Sequence, residues 1–371
     1  MVVIKITTIF VLIFFFVFCS YTQVQEEDTT KYPVIIGLRA HAGSVIIHSK
    51  AIRPIKDSYP VGLEVDINWH KNRKKQWDHC HCYPRTGILF SYFYYDNPVV
   101  LGNGVATVYY IEPFFGAHKK LCFSFRAGAG ITILTKPYDE ESNPDNMSYS
   151  TYLNSFLLVN LTLNYRLNEK YSINASACYN HTSNGGIQVP NKGINFPSAS
   201  IGVDYTLNPS EFKNRDKTKF SDIEVRKNRF DIGLLGTVKS YKHGEPIEHV
   251  IWGGAVNYSR QVGRISSLVG GAEWMVNGVI KEKIARDSIP DANPYRGGIL
   301  AGHEFLMGRY NFSIQMGLYF YRGYADYEIV YQRYKLTYRI TRNIYAGISV
   351  KAHRHIADYL DFRVGYYFER R

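Results

Sequence analysis

Apolar and polar residues alternate with a period of two in one stretch of this chain after another. Val61, Leu63, Val65, Ile67 and Trp69 interleave with Gly62, Glu64, Asp66, Asn68 and His70. Leu121, Phe123, Phe125, Ala127, Ala129 and Ile131 interleave with Cys122, Ser124, Arg126, Gly128 and Gly130. The pattern returns at Leu157 to Tyr165, at Phe312 to Phe320 and at Leu360 to Phe368. Side chains two apart share a face only on a β-strand. The runs last about ten residues, the length a tilted strand needs to cross a bilayer. Soluble sandwiches alternate too, but they seldom set Glu64, Asp66, Arg126, Asn160 and Arg166 in mid-strand opposite large apolar side chains. Tyr and Phe cluster at the ends of runs (Tyr92 to Tyr95, Tyr109 and Tyr110, Tyr319 to Tyr321), as interfacial girdles do. The pattern predicts an all-β, antiparallel transmembrane β-barrel.

About eight strands are expected between Tyr32 and Leu207, and six to eight between Arg229 and Phe368. Residues 208–228 are charged, polar and without alternation, and make the best internal boundary. One barrel of 14–16 strands is the preferred reading, because a single closure leaves no open edge in lipid. Residues 229–371 then complete the barrel begun by residues 23–207. An eight-plus-eight arrangement is the alternative. Residues 1–22 carry one positive charge, a short apolar core and then small residues, which reads as a secretory signal peptide. Lipidation at Cys19 is the lesser reading, because bulky Phe18 precedes it.

The balance is basic, with 44 Lys and Arg against 32 Asp and Glu. Such a charge suits phosphate-bearing partners, and an exported chain makes lipid headgroups the expected partner rather than nucleic acid. Cys80, Cys82, Cys122 and Cys178 do not have the spacing of a disulfide framework. His79-Cys80-His81-Cys82 lacks a standard zinc spacing, and a basic loop following Lys71 to Lys75 is the expected alternative to a metal site. Gly128-Ala129-Gly130 lies inside a strand pattern, so no phosphate loop and no cofactor is expected.

One motif carries chemistry. His181 and Ser183 lie two apart at the end of the run Tyr171, Ile173, Ala175, Ala177, Tyr179, and so continue its apolar face. The following run, Pro197, Ala199, Ile201, Val203 and Tyr205, extends backwards to Asn195 on its own apolar face. His181, Ser183 and Asn195 are therefore expected to point toward lipid at the mouth of one hairpin. A hydroxyl, an imidazole and an acceptor for the second ring nitrogen are the parts of a nucleophilic hydrolase. Asn184 and Gly185 are the expected oxyanion donors. The plainer reading is that Asn184-Gly185-Gly186 and Pro190-Asn191 only shape the turns of a long hairpin.

His181-Thr182-Ser183-Asn184-Gly185-Gly186 followed by Pro190-Asn191-Lys192-Gly193-Ile194 resembles the core of the PagL-type lipid A deacylases of Gram-negative outer membranes. Asn97 to Gly102, Leu134 to Asp139 and Ser150 to Asn154 resemble the longer Bacteroidetes members, often called acyloxyacyl hydrolases. The resemblance spans roughly residues 33 to 207; beyond it only weaker motifs such as Lys351-Ala352-His353 match the longer subgroup. It implies an outer-membrane barrel that removes an acyl chain from lipid A in lipopolysaccharide, with Ser183 as nucleophile, His181 as base and Asn184 as oxyanion donor. The family's third member is a glutamate, and Asn195 stands there. Two classes of function remain open: an outer-membrane lipid A esterase, or a non-catalytic barrel with a lipid-binding, structural or porin-like role.

Overall fold

The computed structural model describes residues 31–222, 228–242, 244–325, 328–354 and 356–370. The expected signal peptide at residues 1–22, with Cys19, lies outside them. Among the described residues sixteen strands alternate up and down: β1 (Val34–Gly43), β2 (Val61–His70), β3 (Tyr83–Tyr94), β4 (Asn103–Phe115), β5 (Leu121–Leu134), β6 (Leu153–Arg166), β7 (Tyr171–Ser183) and β8 (Ile194–Thr206) come first. After the connector follow β9 (Asn228–Ser240), β10 (Ile247–Gly263), β11 (Ser266–Asn277), β12 (Tyr295–Met307), β13 (Tyr310–Arg322), β14 (Val330–Arg339), β15 (Ile344–His353) and β16 (Ile356–Arg370).

The strand total lies within the expected range, but the strands close twice. Strands β1 to β8 form one closed antiparallel barrel and β9 to β16 a second. In the first, β8 returns to β1 with Ile35 opposite Thr206 and Gly43 opposite Ser198. In the second, β16 returns to β9 with Phe362 opposite Gly236 and Arg370 opposite Asn228. The single barrel, with the second half completing the first, is thereby corrected. Its premise, that no edge should face lipid, is met by the first closure and, except where β9 and β16 part beyond Gly236 and Phe362, by the second. Eight strands make a barrel just wide enough for side chains to fill, and this chain has the side chains to do it.

The mid-strand charges fill the lumens. Arg39 meets Glu64 at 3.2 Å and Asp204 at 2.8 Å, and also pairs with Asp66. Arg126 reaches Glu64 at 2.8 Å and Glu112 at 2.9 Å, with its guanidinium 4.1 Å from the Tyr110 ring centre. In the second barrel Arg229 pairs with Glu304 at 2.7 Å, Arg333 with Glu273 at 3.0 Å and Arg363 with Asp361 at 2.8 Å. The outward positions are the reverse. Leu63 is 58 % and Ile201 70 % exposed, whereas Glu64 is 2 % and Asp66 0 %. Inside the first barrel the ion pairs share the space with an apolar cluster that includes Leu89, Phe93, Val108, Phe156 and Phe196; an apolar outside around buried ion pairs matches a bilayer around the barrel. Arg126→Ala would leave buried Glu112 without the cation that pairs with it and Glu64 with Arg39 alone among the guanidinium groups. It should cost about 3–5 kcal/mol of stability, read as a lower temperature at which the folded barrel is lost on a gel; an unshifted midpoint would refute this role.

At the end where the chain enters the first barrel, the connector folds underneath it. The Trp77 indole N–H donates to the Asp216 carbonyl at 3.0 Å and the Tyr83 hydroxyl to that of Lys213 at 2.7 Å. Phe212 stacks against His70 with ring centres 4.3 Å apart. The expected basic loop is partly a short helix, Lys74–Cys80. Cys80 and Cys82 form a disulfide, so these two cysteines do pair and their sulfurs are not thiolate ligands. Sequence spacing missed this because two cysteines one residue apart meet only if the backbone turns sharply between them. His81, at φ 51° just past the helix, makes that turn.

Candidate active site

Strand register builds the site. On adjacent strands β7 and β8, His181 lies directly opposite Asn195. Ser183 is two residues on from His181, at the last position of β7. All three continue the lipid-facing side, as the alternation predicts, because Tyr171, Ile173 and Tyr179 on the same face of β7 are exposed. The loops above the strands cover them, and Ser183 itself is buried.

The side chains form a single run of hydrogen bonds. His181 Nε2 is 3.0 Å from Ser183 Oγ and His181 Nδ1 is 2.6 Å from Asn195 Oδ1. Asn195 Nδ2 is 3.1 Å from Nδ1 of His48, whose Nε2 is 2.9 Å from the Lys192 carbonyl oxygen. His48 Nδ1 also lies 3.3 Å from the Ile46 carbonyl oxygen; the Lys192 carbonyl is the nearer acceptor and takes the Nε2 proton, so that neutral His48 accepts at Nδ1 from Asn195. Asn195 must then donate to it through its amide nitrogen and turn its oxygen to His181. His181 donates from Nδ1, which leaves the Nε2 lone pair facing the Ser183 hydroxyl. The Lys192 carbonyl thus stands at the end of a run that joins His48, Asn195, His181 and Ser183.

The loop after Ser183 presents backbone amides. The Gly185 N–H lies 3.4 Å from Ser183 Oγ. Gly185 and Gly186 have φ of 68° and 77°, left-handed conformations that favour glycine. Asn184 is used otherwise than expected. Its Nδ2 donates to the Gln188 carbonyl at 2.8 Å and to Ser150 Oγ at 3.2 Å, and its Oδ1 accepts from the Gly186 N–H at 3.0 Å. Its own N–H is held by Asn191 Oδ1 at 3.0 Å. Asn184 shapes the loop, and Gly185 is the residue whose N–H faces the hydroxyl.

No carboxylate substitutes for Asn195 among the described hydrogen bonds of His181 and His48. Asp204 lies in the lumen between Arg39 and Arg85, and Glu140 and Glu141 are exposed in a turn. Sequence reasoning did not find His48, which sits 147 residues before Asn195 in the β1–β2 loop and belongs to no motif. It included Gly193 within the motif but gave it no role; its φ of 73° places a would-be Cβ 2.8 Å from His181 Cε1.

Family comparison places residues 57–204 with the model described as lipid A 3-O-deacylase (PagL). Residues 228–370 match the model described as acyloxyacyl hydrolase, C-terminal domain. No curated protein matches the chain. Among solved structures, that of the outer membrane enzyme PagL aligns at 17 % identity and TM-score 0.34, over 45 % of this chain and 97 % of its own. Neisserial surface protein A aligns at 8 % identity and TM-score 0.34, over 47 % of this chain and 97 % of its own. An engineered Rh. blastica porin aligns at 10 % identity and TM-score 0.21, over 90 % of this chain and 100 % of its own.

Proposed function

Since the chain belongs to the lipid A 3-O-deacylase (PagL) family and carries the acyloxyacyl hydrolase C-terminal domain behind it, we propose that it is an outer-membrane esterase that removes an acyl chain from the lipid A of lipopolysaccharide. The observation that carries the reading is the hydrogen-bonded run Ser183–His181–Asn195–His48 on the lipid-facing side of the first barrel. In this mechanism Ser183 Oγ attacks the ester carbonyl carbon and His181 Nε2 takes the hydroxyl proton. The carbonyl oxygen becomes an oxyanion, for which the Gly185 N–H, pointing at Ser183 Oγ in the resting site, is the backbone donor at hand. As the tetrahedral adduct collapses, the C–O bond to the sugar breaks and His181 returns its proton to the departing alkoxide. Water, deprotonated by His181, then cleaves the acyl-serine and releases the fatty acid.

Asn195 keeps the imidazole in the working tautomer but cannot offset the charge of the imidazolium. Lower on the same outer face, Ala42, Ala177 and Ala199 leave a shallow groove beside Pro197, a place for a chain to lie along the barrel. Purified protein mixed with lipopolysaccharide in detergent should lower the acyl-chain count of lipid A by mass spectrometry. An unchanged spectrum would sink the proposal. Gly193→Ala should lower kcat roughly 10–100-fold, because its methyl would push the His181 ring off line; a variant equally folded and equally fast would show that the ring has room.

The missing charge at Asn195 favours a second reading, a barrel that binds lipopolysaccharide without turnover. It predicts retention of lipopolysaccharide on the immobilised protein with no fatty acid released. The salt-bridged side chains filling both lumens give a porin-like role no support.

A further inference from the structure

The second barrel is closed at one end and parted at the other. Strands β9 and β16 pair only from Gly236 opposite Phe362 to Asn228 opposite Arg370. Above that level Thr237 to Ser240 remain paired to β10, and Ile356 to Asp361 remain paired to β15. The two do not pair with each other, so an eight-strand closure has a notch with two backbone edges. Unpaired strand edges at a membrane surface are costly and call for partners.

The partner is the loop that follows Ser183. The Leu360 N–H, on the β16 side, donates to the Gly185 carbonyl at 2.6 Å. The Ser240 N–H, on the β9 side, donates to the Ile187 carbonyl at 2.9 Å. Ser240 Oγ accepts from the Val189 N–H at 3.3 Å. Lys239 of β9 ties the notch together by donating to the Asp358 carbonyl at 2.7 Å and to its carboxylate at 3.2 Å. Contact is close enough to exclude a side chain at Gly185 and at Gly186. A Cβ on Gly185 would stand 2.7 Å from that of Leu360, and one on Gly186 would stand 2.6 Å from the Asp358 carbonyl oxygen. The two glycines therefore answer to the second barrel as well as to their own φ angles.

Gly185 is also the residue whose N–H faces Ser183 Oγ. We infer that the second barrel is a positioning device for the first: the parted β9–β16 seam grips the backbone of residues 185–189, and Leu360 holds Gly185 so that its amide stays aimed at the serine. This rests on the esterase reading of Ser183. It assigns the second half of the chain a task that a lone eight-strand barrel would have to meet within its own loops.

The test compares Leu360→Pro with Leu360→Ile in the full-length protein. Proline removes the N–H that Leu360 gives to Gly185, and its fixed φ is one that edge positions of a strand tolerate. Isoleucine keeps the N–H. Hydrogen exchange should show faster exchange at Val189 and Ser240 in Leu360→Pro and wild-type protection in Leu360→Ile. With lipopolysaccharide as substrate, kcat should fall roughly 10–100-fold in Leu360→Pro with KM within about twofold, while Leu360→Ile stays at the wild-type rate. Unchanged protection in the proline variant would overturn the grip. Lost protection with an unchanged, Ser183-dependent kcat would overturn the positioning role. If the esterase reading itself is wrong, hydrolysis will be indifferent to Ser183→Ala as well as to Leu360→Pro, a pattern distinct from both.

Discussion

Ser183→Ala and His181→Ala should each abolish lipid A deacylation, and the double variant should be no slower than either alone. The reason is the 3.0 Å contact between His181 Nε2 and Ser183 Oγ. A base without a hydroxyl to deprotonate contributes nothing to attack, and a hydroxyl without its base is a poor nucleophile. In subtilisin, removing the serine or histidine alone costs about as much as removing the whole triad, roughly 10⁶-fold in kcat, and losses of about that order are expected here if the native rate approaches that of an efficient hydrolase. The residual rate in all three variants should be equal, because the Gly185 amide and the lipid-facing groove are untouched. Fatty-acid release followed by mass spectrometry measures it. Losses that multiply in the double variant would mean that the two residues act separately, and the pair would not be the reacting unit.

Asn195→Glu should raise kcat, by about 10²-fold. In serine proteases the opposite change, carboxylate to amide, costs about 10⁴-fold, and part of that loss comes from the wrong histidine tautomer. Here the tautomer is already secured, because His48 takes the amide N–H and leaves the amide oxygen to His181. Only the charge is missing, so the expected gain is smaller than the full factor. A glutamate would need a donor from His48, which its ring supplies by moving its proton to Nδ1 and releasing the Lys192 carbonyl. Asn195→Leu gives the lower bracket, since it keeps bulk and offers no acceptor. A folded Asn195→Glu protein no faster than the native chain would show that charge at this position does not limit the reaction, and would strengthen the binding reading.

Much of the site was legible in the sequence because strand geometry is local. The alternation through Tyr171 to Tyr179 and Pro197 to Tyr205 was enough to place His181, Ser183 and Asn195 on one outward face, and the hairpin put His181 opposite Asn195. The role of Asn184 was not legible. Its side chain has a choice of partners, and only the folded loop shows that Ser150 and Gln188 take it. The disulfide between Cys80 and Cys82 escaped for the same reason, since it depends on the left-handed backbone at His81.

The sequence by itself determined the strands, their faces and the polarity of both lumens, because period-two alternation is written residue by residue and a one-residue slip would turn every charge toward lipid. Tertiary structure alone decided that the sixteen strands close as two barrels. Closure depends on which distant edges meet, β1 with β8 and β9 with β16, and an edge is satisfied equally by either count. It likewise decided that His48 backs Asn195 and that Leu360 and Ser240 hold the loop beyond Ser183. Those contacts join residues more than fifty positions apart, and the two at Leu360 and Ser240 do so through main-chain groups, which no sequence pattern marks.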